Sequence, residues 1–284
     1  MLLFILISQC IYACHCMPFN KARKEALKEN KFMLVHFTNY FMYDDEDLDG
    51  NPIMNPIQEN TYIKDLLQNY KYVCVTPNDN YALYKKYNIQ NIPQLLVIDG
   101  NGKEVYRFAD FGDAAEFSIV IQNFIIPDHF LTSELANYNK HKSYATAMRL
   151  AQKYLDYSLL VDQHLKKGIF NTAESYLAEA ESLISKRDDK CKENYQKLRL
   201  LQIVVFAYQQ NFSYLNEKIH AFDQSTIYES NQLIYYFLKY ITAKALHQDE
   251  FMQIEKEALA LDGFENFKKK CDLILNGESL VQAY

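Results

Sequence analysis

No two cysteines of this 284-residue chain stand in a Cys-x-x-Cys spacing. The six are Cys10, Cys14, Cys16, Cys74, Cys191 and Cys271. Their spread excludes both the dithiol redox motif and a zinc knuckle, which need close-set thiols. A basic footprint is missing too: 36 Asp and Glu stand against 30 Lys and Arg, giving a net charge of -6, so nucleic acid is not an expected partner. Tryptophan is absent while Tyr and Phe number 23 and 18, an imbalance read as compositional bias that carries no functional inference. No proline follows Pro127, which leaves the second half free to form long helices. What the chain does have is 49% hydrophobic residues, enough to bury a sizeable core in one or two domains.

Residues 1–16 carry no charged side chain and hold the apolar run Leu2-Leu3-Phe4-Ile5-Leu6-Ile7, followed by Ile11-Tyr12-Ala13. That is too short to span a bilayer but suits a secretory signal peptide, so export to the periplasm or cell envelope is expected; a buried N-terminal strand is the competing reading. Ile11-Tyr12-Ala13-Cys14 also resembles a bacterial lipobox, in which Cys14 would carry the lipid that attaches the chain to a membrane; Tyr12 departs from that pattern.

From Phe19 the periodicity predicts a helix to Asn30, a strand over Phe32 to Phe37, a helix over Ile57 to Tyr70 and a strand over Tyr72 to Thr76. A short helix over Tyr81 to Tyr87, a hairpin of Leu95 to Ile98 with Glu104 to Phe108, and a helix over Ala114 to Ile125 follow. The stretch Leu34-Val35-His36-Phe37-Thr38-Asn39-Tyr40-Phe41 leads from the first strand to an aromatic, Ile92-Pro93 precedes the hairpin, and Asp99-Gly100-Asn101-Gly102 turns it. In this order of elements residues 18–126 resemble the thioredoxin family. The resemblance implies a thioredoxin-like α/β domain over 17–127, with Pro93 at the family's cis-proline and Met42-Tyr43-Asp44-Asp45 where the two catalytic cysteines belong.

Thiol-disulfide exchange needs a thiolate and a resolving thiol, and neither Met42 nor Asp45 can serve. The expectation is therefore a redox-inactive binding or scaffolding protein without a catalytic residue; an envelope thiol-disulfide oxidoreductase, which would have to draw on Cys74, is the alternative. Cys74 reads as a small buried hydrophobe in its strand. His36 falls where many thioredoxins carry a buried Asp, and is taken as structural. The proline loop does not depend on thiols: by the resemblance, an extended peptide would pair with the backbone beside it, on a surface supplied by Phe41, Met42, Tyr43, Ile92 and Pro93.

Asp45, Asp47, Asp49 and Gly50 match the D-x-D-x-D-G start of a calcium loop, where alternate carboxylates converge on one hard cation. The match ends there, since Pro52 and Pro56 stand at the eighth and twelfth positions and Glu59 comes three residues late. No cofactor is expected beyond weak calcium binding, at an affinity near ~10⁻⁴ to 10⁻³ M, by a structural module; a solvated acidic loop is the plainer reading.

Residues 128–284 read as an all-α helical bundle domain, with helical periodicity over Tyr144 to Leu160, Phe170 to Ser185, Tyr195 to Gln210, Leu233 to Leu246 and Phe251 to Leu261. Gly168 and the polar run Lys186 to Lys190 are expected to break it. Gly168 to Leu177 faintly resembles the start of a tetratricopeptide helix, but no period near 34 residues recurs, so a non-repeating bundle is favoured. Cys191 and Cys271 could be bridged in an oxidising compartment. The apolar run Phe124-Ile125-Ile126-Pro127, with Phe130 and Leu131 close behind, is expected to pack between the two parts rather than act as a free linker.

Overall fold

A computed structural model describes residues 17–38, 61–109, 113–125 and 130–276. The first part is a four-stranded mixed sheet with helices on both faces. Helix α1 (Phe19–Glu29) ends on Asn30, whose φ of 55° closes it in left-handed geometry. Strand β1 (Met33–Phe37) is buried along its length. Next come α2 (Thr61–Leu67), β2 (Lys71–Val75), α3 (Pro77–Lys86), the hairpin β3 (Gln94–Ile98) and β4 (Glu104–Arg107), and α4 (Ala114–Asn123). Asn80 interrupts α3 with a non-helical backbone and restarts it by accepting a bond from the Leu83 amide at 3.3 Å. Asp113 caps α4 by accepting from the Ala115 and Glu116 amides.

The strand order is β2-β1-β3-β4. β1 pairs in parallel with β2, whereas β3 is antiparallel to both β1 and β4. Alternation along the strands sends Met33, Val35, Phe37, Leu96 and Ile98 to one face, where α1 and α3 close a core with Phe19, Ala22, Ala26 and Tyr84. Leu34, Leu95 and Val97 point the other way and join Ile63, Leu66, Phe117 and Ile121 from α2 and α4.

That second core does not stop at the sheet. It continues through Phe124 and Leu131 into helices α5 (Thr132–Lys140), α6 (Tyr144–Tyr157), α7 (Lys166–Leu183), α8 (Cys191–Tyr208), α9 (Phe212–His220), α10 (Gln232–Ala245), α11 (Phe251–Leu259) and α12 (Phe264–Asn276). Helices α6, α8, α10 and α12 touch in succession, with α7, α9 and α11 laid against them. Asp156 of α6 closes the row by accepting from Tyr208 of α8 at 2.5 Å and Lys270 of α12 at 2.8 Å. The row's helix starts at Tyr144, Cys191, Gln232 and Phe264 are unevenly spaced, in keeping with a non-repeating arrangement.

Three helices were not expected from periodicity: α5, α9 and α12. Gly168 was expected to break the helical pattern, yet it lies inside the first turns of α7, which begins at Lys166. A Cβ there would stand 2.1 Å from the Val105 carbonyl oxygen, so this glycine brings α7 onto strand β4. Thr172 one turn later donates to the Glu104 carbonyl at 2.8 Å. In this way α7 covers the outer edge of the sheet.

The hairpin tip enters the helices beside that contact. Asp99 is fully buried: its Oδ1 accepts the Asn101 and Lys103 amides, both at 2.9 Å, and its Oδ2 accepts the phenols of Tyr154 at 2.8 Å and Tyr176 at 2.5 Å. Lys103 extends the contact to Ser175 at 2.8 Å and Glu179 at 3.0 Å. Burial pushes the Asp99 carboxyl up from its ordinary value, and these donors offset part of that push. The apolar join is packed where it is described: Phe124 lies against the rings of Phe32 and Tyr106, Leu131 is buried, and Phe130 lies beside Tyr157.

Candidate functional site

The carboxyl ends of β1 and β2 and the amino end of β3 meet at one edge of the sheet. In sheets of this kind the carboxyl edge of parallel strands is where ligands are usually bound. The Ile92-Pro93 peptide bond is cis, as expected from the sequence, and leads directly into β3. Ile92 is half-buried against the α1–α3 core, and Pro93 is exposed.

What lies behind the loop is well fixed. Gln94 stands in register with Phe37, and its side-chain amide donates to the Phe108 carbonyl at 2.6 Å. Tyr84 packs edge-on against Phe37 and donates to the carbonyls of Thr38 and Val75 at 3.1 and 2.9 Å. The Thr38 amide also bonds to the Val75 carbonyl at 3.1 Å. Strand β3 then runs from this loop to Asp99, so a rigid element joins the exposed proline to the buried anchor in the helices.

His36 sits on β1 behind the same edge, in register with Cys74 on β2 and Leu95 on β3. Its Nδ1 shares a hydrogen bond with the Tyr72 hydroxyl at 3.1 Å. Burial lowers its pKa to about 4, so the imidazole is neutral at ordinary pH. A neutral ring supplies no positive charge to hold a thiolate on Cys74, which is half-buried. Cys191 and Cys271 are free thiols rather than a bridge, and burial pushes the Cys271 thiol up.

Of the residues singled out from sequence, the structure places Ile92 and Pro93 at this edge and His36 beneath it. Phe41, Met42 and Tyr43, the calcium-loop residues Asp45, Asp47 and Asp49, and Cys14 with the rest of the N-terminal segment lie outside the described residues. Among the described residues no three His, Cys, Asp or Glu side chains are grouped to hold a metal ion, and no helix is long and apolar enough to cross a membrane.

Sequence reasoning passed over the tyrosines. Tyr84 ties the candidate edge, Tyr72 faces His36, and Tyr154 with Tyr176 holds Asp99. The high tyrosine count was the available signal, and it was set aside as compositional bias. No protein-family model matches the chain, and no curated protein matches it.

Proposed function

We propose that this chain is a redox-inactive thioredoxin-like protein that binds an extended peptide beside the Ile92-Pro93 loop, with its helical part as scaffold. The observation that carries the reading is the sheet itself. Its order is β2-β1-β3-β4, with a parallel β1–β2 pair, an antiparallel hairpin, and an exposed proline opening β3 at the carboxyl end of β1. This is the arrangement the thioredoxin resemblance leads one to look for. An extended segment laid there would find backbone groups at a firmly held strand end, with Ile92 and Pro93 as its apolar border. The neutral, buried His36 and the missing Cys-x-x-Cys both favour binding over thiol chemistry. Export to the cell envelope, with or without a lipid on Cys14, belongs to the same proposal and rests on residues 1–16 alone.

Two assays on the protein test it together. Selection from a random peptide library should yield extended binders whose affinity drops at least tenfold in Ile92→Asp and is unchanged in Cys74→Ser. Insulin reduction should show no catalysed turnover. Turnover abolished by Cys74→Ser would favour the oxidoreductase instead, and binders indifferent to Ile92 would place the site elsewhere.

A further inference from the structure

Helix α1 sorts its charges by side. Phe19, Ala22 and Ala26 are buried against the sheet. Glu25 and Glu29 turn toward β2, where Lys71 meets them at 3.6 and 2.6 Å, and Lys31 reaches Glu29 at 3.3 Å. The other charged residues of the helix are all basic: Arg23 is half-buried, whereas Lys21, Lys24 and Lys28 are exposed. At 3.6 residues per turn these three lysines fall within about 60° of arc, on the side of the helix opposite its buried residues. None of them makes a hydrogen bond or an ion pair among the described residues. In a chain of net charge -6 this is an unneutralised basic stripe.

Its place in the fold is specific. With α3, α1 closes one face of the sheet, and the helical array shares its core with the other. The back of α1 is therefore turned away from the sheet and from the array beyond it. Phe19 and Phe37 both pack on Tyr87, which puts the start of α1 at the same end of the sheet as the Ile92-Pro93 edge. Phe19 also follows Cys14 by only five residues, at most about 18 Å of extended chain.

We propose that Lys21, Lys24 and Lys28 dock α1 on an anionic lipid surface, an inference that rests on the envelope reading of residues 1–16. Attachment through one acyl chain or a short apolar segment is marginal, and a basic patch beside it supplies the second, electrostatic contribution. Three ammonium groups on one side of a rigid helix reach the headgroups together. With α1 lying along the membrane, the array points outward and the edge at Ile92-Pro93 stays open at the side.

The test is sedimentation of the full chain with vesicles of phosphatidylcholine mixed with phosphatidylglycerol, against vesicles of phosphatidylcholine alone. Binding to the anionic vesicles should be tighter by about tenfold or more, and the preference should fade as salt is raised. It should vanish when Lys21, Lys24 and Lys28 are all changed to Gln, and persist when Lys186, Arg187 and Lys190, an exposed cluster in the array, are changed to Gln instead. Binding to anionic vesicles alone would support the stripe and speak against attachment through residues 1–16. Equal binding to both vesicles would leave that attachment standing and overturn the stripe. A preference that survives the Lys21, Lys24 and Lys28 changes would overturn it too, as would retention on polyglutamate without vesicle binding, which would assign the stripe to an acidic protein.

Discussion

The two faces of the sheet are closed in different ways. One is sealed by α1 and α3, and every residue of its core comes from the stretch between Met17 and Ile98. The other shares its core with the helical array as far as Ile274, through Phe124, Leu131 and the α6–α7 pair. The boundary expected near Pro127 is therefore a change in secondary structure rather than a break in packing. The difference teaches that a sheet needs a partner for each face, and here the second partner is most of the chain.

If that asymmetry is right, the largest loss should follow from removing Asp99. Asp99→Ala takes the acceptor from two phenols and two amides at once and should cost about 4 kcal/mol in urea unfolding. Gly168→Ala comes next. Its methyl group must displace the Val105 carbonyl or push α7 off β4, for about 3 kcal/mol, whereas glycine to alanine in an open helix would stabilise.

On the acid side, His36 probes the sheet half from within. Its folded pKa is about 4, below the ordinary 6.5, so the unfolded chain takes up a proton first as pH falls. The stability it contributes is complete above pH 6.5 and is lost as pH drops toward 4, up to about 3 kcal/mol. His36→Gln should flatten that limb of the stability curve. A curve unchanged between pH 7 and 4 would show that the ring is not held neutral. The smallest effect expected is that of Tyr154→Phe, which removes one of two phenols from Asp99 while keeping the ring stacked on Tyr176, for about 1.5 kcal/mol.

Strands β1 and β3 were legible because each is a short apolar run, and β4 because it follows the Asp99 to Gly102 turn; all three begin and end within two residues of expectation. Helices α5 and α9 were missed because each is short and buries only two side chains, leaving little periodic signal: Leu135 and Tyr138 in one, Leu215 and Ile219 in the other. Gly168 misled for a physical reason. In sequence a glycine signals a break, and here it serves a close approach that only the folded chain reveals. The Asp99 anchor could not be read at all, since Tyr154 and Tyr176 lie 55 and 77 residues away and no local pattern encodes such pairing. At the candidate site the Ile92-Pro93 loop was legible from its motif. The tyrosines that hold its surroundings carry no motif and acquire their roles only through packing.

Native-state hydrogen exchange tests the shared core most directly. Amides of Leu95, Val97 and Val105 in the strands and of Ala173 and Leu177 in α7 should open with the same free energy, and Asp99→Ala should lower all of them by the same amount. Retention of full protection in α7 while the strands lose theirs would mean that the two parts open independently, and would contradict the account.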